Sequence, residues 1–317
     1  MADQIEKAKT GAKDLAHIGV LLLLILVVLF LLTWTGVLGC RTLPGWCDVY
    51  YGVVGKPKIL IVSGEEGLGN PDLLQTTMSD PKILGARAQR LSIQNTSLGN
   101  LQPYHLVIVE KSKKMSTKQL QMFIDYVKAG GRLVWTGDSG TELMEGDELL
   151  YKDERNETGK HETLGPWARK DGDNIVAFDE LISAQFKANY CDLKLCNETF
   201  PWIGNLEPEP ERTHKLITGL QQGLQFYGNF SIVEESSAKV STRVLSIKTL
   251  TRVVDSEGKD YGNNFPAIVT TSPSSILGAK FGERVAYYAV PPEQFVEPEL
   301  EKKYFTIIEN MYYGMLQ

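Results

Sequence analysis

The first forty residues and the rest of the chain carry different hydrophobic patterns. Residues 18–38 are an unbroken run of 21 residues without a charged side chain. A helix rising about 1.5 Å per residue carries such a run through roughly 31 Å, the thickness of a hydrocarbon core. Beyond it the apolar positions come in short blocks. Residues 58–64 (Lys-Ile-Leu-Ile-Val-Ser-Gly) and 105–110 (His-Leu-Val-Ile-Val-Glu) are continuously apolar rather than alternating, as strands covered on both faces are. Residues 115–130 predict a helix. Ser116 and Gln119 have capping-box spacing, Met115 and Leu120 occupy the staple positions, and Leu120, Phe123, Ile124 and Val127 form one stripe. Gly130-Gly131 ends it, and residues 132–136 follow as another strand. Strand, helix and strand with short links make the unit of a parallel sheet.

The later chain changes character. Residues 141–180 hold twelve acidic and five basic residues with little apolar periodicity, and read as a solvated excursion from the sheet edge. Within it, Asp171-Gly172-Asp173-Asn174 resembles half of a calcium loop, but the remaining ligand positions, including the terminal Glu, are missing. A surface turn is the better reading, and no metal is expected. Residues 207–211 (Glu-Pro-Glu-Pro-Glu) read as an extended connection. Residues 230–234 and 239–254 are rich in β-branched side chains and suit strands added antiparallel. Residues 267–270 and 284–290 read as a pair joined through Gly278 to Gly282. A last helix from about residue 297 buries Leu300, Tyr304, Ile307, Ile308, Met311 and Met315.

Charge narrows the function classes. Lysine and arginine total 33 and aspartate and glutamate 39, a net charge of −6. Lys7, Lys9 and Lys13 cancel Asp3, Glu6 and Asp14, so the acidic excess lies beyond residue 40 and argues against nucleic-acid binding, which needs a basic face. A cleaved signal peptide has an apolar region of only about 7–15 residues. The longer run here reads as an uncleaved anchor with Trp34 near its far end. Val37-Leu38-Gly39-Cys40 loosely matches a lipoprotein-processing box, an alternative in which a lipidated Cys40 would keep the chain on the membrane. Three lysines precede the run closely and only Arg41 follows closely, which puts the N-terminus inside and the large domain outside.

The four cysteines lie outside the run and fall in close pairs, Cys40/Cys47 and Cys191/Cys196. Four cysteines allow three pairings. The spacing suits two local bridges in an oxidising compartment, and neither pair has a histidine at a zinc-like spacing. Four N-x-S/T sequons, at Asn95, Asn156, Asn197 and Asn229, fit the same exposure to the outside. Asn156, in the polar excursion, is the best acceptor, and Asn229, next to Phe230, the worst.

The first strand, the stretch LVIVEKSKKMSTKQLQMFIDYVKAGGRLVWTGDSG, HKLITGL, FPAIVTTSPSSILGAKFGERVAYYAVP and the final helix together resemble the class I glutamine amidotransferase-like superfamily, in particular its ThuA-like and GldG-type branches. The resemblance covers most of residues 57–317. It implies an α/β fold, a flavodoxin-like parallel sheet flanked by helices. Active amidotransferases of that superfamily place a nucleophilic Cys on a sharp turn after a strand, paired with a His and an acid. The corresponding stretch here, Gly137-Asp138-Ser139-Gly140, has no Cys. Cys191 and Cys196 sit in no Gly-x-Cys-x-Gly elbow, so thiolate chemistry is unsupported.

Ser139 is the substitute nucleophile to weigh, with Asp138 beside it and His105, His161 or His214 as base. The plainer reading is an Asp-Ser-Gly turn capping the next element. The Gly-rich loop at 63–70 (Ser-Gly-Glu-Glu-Gly-Leu-Gly-Asn) follows the first strand, where open α/β sheets bind ligands. It is not a P-loop, and Glu65 and Glu66 would repel phosphate. A carbohydrate or peptide could still be received there, and no cofactor is expected.

The chain thus divides into a cytoplasmic arm (1–17), a transmembrane helix (18–38), a stalk (39–56) and an extracytoplasmic amidotransferase-like domain (57–317). The favoured reading is a single-pass membrane protein whose domain has lost its chemistry. It would serve, with protein partners, as a binding or assembly component of a membrane or cell-surface complex. The alternative is a membrane-tethered hydrolase using Ser139 or an unrecognised acid/base pair.

Overall fold

The computed structural model describes residues 2–34, 38, 43, 45–155, 161–193, 196, 202–209, 214–236, 241–271, 283–295 and 305–316. The chain divides into two compact units, Met1–Lys56 and Pro57–Leu316. In the first, helix α1 (Ala2–Trp34) contains a stretch, Ala16–Trp34, long and apolar enough to cross a membrane, a character that a signal sequence shares. None of that stretch is buried. The helix is described as far as Trp34, and residues 35–37 of the apolar run lie outside the described residues. Where a stalk was expected, a short helix forms, α2 (Trp46–Val54). Cys47 on it is disulfide-bonded, while Cys40, its expected partner and the candidate lipidation site, lies outside the described residues.

In the second unit, β1 (Ile59–Ser63), α3 (Pro71–Ser79), β2 (Ala88–Ser92), β3 (Leu106–Glu110), α4 (Thr117–Lys128) and β4 (Leu133–Thr136) come first. They are followed by α5 (Phe178–Ile182), β5 (Ala184–Asn189), β6 (Trp202–Pro208), β7 (Leu224–Tyr227), β8 (Ser231–Glu235), β9 (Ser241–Val254), β10 (Asp260–Thr271), β11 (Val285–Tyr288) and α6 (Phe305–Leu316). Among the described residues a nine-stranded sheet runs in the order β7-β6-β9-β10-β11-β4-β3-β1-β2. The five strands β2-β1-β3-β4-β11 are parallel, and from β11 to β7 every pairing is antiparallel. The sheet is therefore mixed: the parallel part matches the flavodoxin-like sheet expected, and the strand over 241–254 adds to it antiparallel. Its second half is built from hairpins such as β9–β10, whose turn is closed by the Asp255 carboxylate accepting from the Glu257 and Lys259 backbones, and hairpins pair antiparallel.

The continuous apolar strands are explained by cover on both faces. Alternate residues of β1, β3 and β4 (Ile59, Ile61, Leu106, Ile108, Val134) join Leu74 and Met78 of α3 and Ile307, Ile308 and Met311 of α6 in one core. The intervening residues (Leu60, Val62, Val107, Val109, Leu133, Trp135) join Leu120, Phe123, Ile124 and Val127 of α4 in another. The capping box of Ser116 and Gln119 forms as the spacing predicts, and Met115 and Leu120 are both buried. Gly130, at φ +104°, takes the left-handed position that ends α4.

Three other expectations are corrected. Residues 231–235 do form a strand, but β8 pairs with β5 in a separate two-stranded ladder. Glu207 and Pro208 belong to β6 and pair with β9 instead of forming a loop. The acidic excursion is folded: Glu148–Leu149, Ala168–Asp171 and Asn174–Ala177 form a small antiparallel sheet. Arg169 organises it from a fully buried position, donating to the carbonyls of Pro166, Met115 and Gly140 and to the Asp147 carboxylate. Asp171 to Asn174 is the turn of its second hairpin. The joint between β10 and β11 and the first turns expected of the last helix lie outside the described residues.

Phe123 has no solvent exposure and packs edge-on against Trp135, with ring centroids 5.2 Å apart. Truncating such a residue costs about 3–5 kcal/mol, and Phe123→Asp adds an unpaired charge to the cavity. Urea unfolding of the variant should show a loss of at least that size. A loss under about 1 kcal/mol, in the range of surface substitutions, would mean that α4 does not pack on the sheet.

Candidate functional site

The carboxyl ends of the parallel strands meet at one edge of the domain. In the order β2-β1-β3, the chain leaves β1 toward one side of the sheet and β3 toward the other, which makes their ends the switch point where α/β sheets receive ligands. The Gly-rich loop occupies this place. Gly64 N–H donates to the Lys111 carbonyl (3.1 Å), Lys111 N–H to that of Leu68 (2.8 Å) and Lys113 N–H to that of Glu66 (2.8 Å), so the loop is zipped onto the segment after β3. Two carboxylates hold it from below: Asp138 Oδ1 accepts from Leu68 N–H (2.7 Å) and Glu293 Oε1 from Asn70 N–H (2.6 Å). The Asn70 side chain then caps α3 by accepting from Leu73 N–H. The loop needs its glycines. A Cβ on Gly67 (φ +115°) would stand 2.9 Å from Asp138 Oδ1, and one on Gly69 (φ +128°) 3.1 Å from Glu110 Oε2.

Beneath the loop lies a pair of buried carboxyls that the sequence does not announce. Glu110 ends β3 with no exposure, and Glu293 is 1% exposed. Among the described residues no nitrogen or hydroxyl donor reaches either Glu110 oxygen or Glu293 Oε2. Burial, then the neighbouring Glu293, push the Glu110 carboxyl well above the usual range, against a smaller opposing effect of Arg90 and Lys111. Burial pushes Glu293 up to about 7, partly offset by the Asn70 N–H. Burial and the like charge of the neighbour together resist full ionisation of the pair. A Glu closing an otherwise apolar strand is the one local sign of Glu110; Glu293, in Val-Pro-Pro-Glu, has none.

Asp138 and Ser139 have different neighbours from those a triad requires. Besides Leu68, Asp138 accepts from Asn189 Nδ2 (2.9 Å), whose Oδ1 accepts from Ser231 Oγ (2.9 Å). Ser139 is fully buried, and its Oγ has no hydrogen-bond partner among the described residues. Its carbonyl accepts from the indoles of Trp135 (2.9 Å) and Trp167 (2.8 Å). The histidines are engaged elsewhere. His105 Nδ1 accepts from Lys58 N–H at the start of β3, His161 pairs with Asp153 and stacks on Tyr151, and His214 accepts from Leu216 N–H and lies 3.5 Å from Glu283. His214, with Lys215, holds the Glu283 carboxyl down to about 2.

The remaining sequence-derived sites are spread over the surface. Cys191 and Cys196 are bonded to each other, next to Asn189 of the Asp138 network. Asn95 is exposed at the end of a single helical turn. Asn229 is half-buried, its Oδ1 accepting from the Cys191 and Phe230 backbones. Asn156 and Asn197 lie outside the described residues. Glu65 and Glu66 are exposed on the loop. Among the described residues no group of three or more His, Cys, Asp or Glu side chains is arranged to hold a metal.

No family model matches the chain, and no curated protein matches it in sequence. Solved structures with a similar course include a ThuA-like protein from Bacteroides uniformis ATCC 8492, at 15% identity over 81% of this chain and 90% of that one, TM-score 0.49. They also include the cold-adapted β-galactosidase from Rahnella sp. R3, at 14% identity over 84% of this chain, TM-score 0.48, and the mmIFT52 N-terminal domain, at 10% identity over 81% of this chain and 96% of that one, TM-score 0.47. The chain matches only 33% of the β-galactosidase's length. A likeness at this distance transfers no activity.

Proposed function

We propose that the protein is anchored in a membrane by residues 16–34 and carries its α/β domain, built on a flavodoxin-like strand order, on the extracytoplasmic side as a non-catalytic binding or assembly component of a membrane complex. One observation carries the loss of chemistry. The Gly-rich loop at the switch point is fixed on Asp138 and Glu293, and among the described residues the buried Ser139 hydroxyl has no hydrogen-bond partner that could act as a base. The exposed apolar side chains of α1 and the cysteine bridges support the anchor and the oxidising side. The exposed Asn95 sequon is available to a glycan on that side.

The second reading, a tethered hydrolase, is favoured by one feature, the Glu110–Glu293 pair, two buried carboxyls whose pKa values burial raises, as in the acid/base equipment of carboxyl enzymes. It requires the Gly-rich loop to open. As a structural group Glu293 has a sufficient role in accepting the Asn70 N–H and holding the loop.

A reporter fused to the C-terminus should be active only outside the cytoplasm. Cytoplasmic activity would refute the orientation. Ser139→Ala should complement a deletion strain fully, whereas a catalytic serine would cost several powers of ten in rate. The carboxyl pair gives a third test. In the unfolded chain both groups ionise near 4.5, and in the folded domain both ionise higher, Glu293 at about 7. The folded state therefore binds more protons across that window, and stability falls as pH rises from about 4.5 through about 7. Glu293→Gln keeps the acceptor for Asn70 and removes one ionisation. It should flatten this dependence and stabilise the domain at pH 8 by about 1–3 kcal/mol while complementing normally. A folded, correctly localised Glu293→Gln protein without function would transfer the conclusion to the hydrolase.

A further inference from the structure

α2 has an apolar side that the described residues cover only in part. At 100° per residue, Val49, Val53, Trp46, Tyr50 and Val54 fall on one side about 140° wide. Part of that side is occupied. Trp46 and Tyr50 are buried, the Trp46 indole donates to Thr33 Oγ1 (2.8 Å), and the Tyr50 ring lies 5.3 Å from that of Phe30. The rest is open: Val49 and Val54, at the two edges of the side, are 53% and 51% exposed, and Val53, nearer its middle but a turn or more beyond Val49 and Trp46, 72%.

The partners of Trp46 and Tyr50 fix where this helix lies. Phe30 and Thr33 belong to the last turns of the apolar stretch Ala16–Trp34, so α2 lies against that helix end and does not lead away from it. Trp34, at the end of the stretch, is the residue type that settles at headgroup depth, and Phe30 is about 6 Å, four residues of helix, farther in. In a membrane, the space on either side of α1 at this depth is filled by lipid. The uncovered part of the side that meets α1 faces that same space. Trp34, Trp46, Tyr50 and Tyr51 also make the aromatic composition of an interfacial belt.

We propose that α2 is an interfacial helix, lying in the outer surface of the bilayer beside the end of the span with Val49, Val53 and Val54 at the acyl–headgroup boundary. The protein would then be held by a span plus an in-plane foot, which limits its tilt and its rotation about the span. This inference rests on the reading of α1 as an anchor.

The test uses the full chain, oxidised so that its native bridges have formed, in phosphatidylcholine vesicles. A nitroxide is attached at Val53→Cys, at Val27→Cys within the span, and at Leu250→Cys, an exposed position of the α/β domain. Relaxation by dissolved oxygen reports lipid, and relaxation by a nickel chelate reports water. At Val53 the chelate effect should fall severalfold below that at Leu250, with oxygen dominant as at Val27. Chelate access at Val53 equal to that at Leu250, with Val27 protected, would overturn the foot and leave the anchor. Protection of Val53 from both reagents would mean that protein covers the face, and overturns the proposal as well. Chelate access at Val27 would show that the anchor reading itself has failed.

Discussion

One buried carboxylate, that of Asp138, joins the separately built parts of the α/β domain. Its two oxygens accept from the Leu68 backbone and the Asn189 amide, and Asn189 accepts in turn from Ser231. The chain of hydrogen bonds runs from the loop after β1, through the turn after β4, to the small β5–β8 ladder. A buried carboxylate is tolerated only when donors surround it, so the position of each partner is constrained by the other. Removing the carboxylate would leave the partly buried Leu68 N–H unpaired, at about 1–3 kcal/mol, and the Asn189 amide with only its longer contact to the Asp192 carboxylate (3.3 Å). The same constraint reaches into the sequence, because Gly67 lies too close to Asp138 Oδ1 to carry a side chain.

The parts of the fold that could be read from sequence are those whose information is local. β1, β3 and β4 announce themselves because a strand covered on both faces has to be apolar at every position, and α4 because a cap, a stripe and a Gly-Gly stop stand within sixteen consecutive residues. The acidic excursion gave no such signal. Its order comes from Arg169, whose guanidinium gathers carbonyls from residues 115, 140 and 166, and from Trp167, which reaches Ser139. An arginine in a charged tract looks solvated until those distant acceptors are known. β2 and β7 were missed for a related reason: as the two edges of the sheet they expose polar side chains, and their short patterns resemble loop.

The candidate site divides in the same way. Asp138 and Ser139 are visible because they follow a strand and precede a glycine, yet that pattern describes a turn equally well, and burial distinguishes the two. The hydroxyl is buried without a hydrogen-bond partner among the described residues, and it is the backbone carbonyl of Ser139 that the two indoles reach. Glu110 and Glu293 are 183 positions apart in sequence, and nothing in either local context suggests that the sheet brings them together.

That pair also bears on why acidic groups persist where apolar side chains would pack more cheaply. A hydrophobic substitute for Glu293 would leave the Asn70 N–H without an acceptor at the start of α3, where Asn70 already uses its side chain to cap the helix. A fully ionised pair would place two like charges in a dry site, and Arg90 and Lys111 offset only part of that repulsion. Burial and mutual repulsion keep the pair short of full ionisation, while Glu293 Oε1 supplies the acceptor that the Asn70 N–H needs to hold the loop.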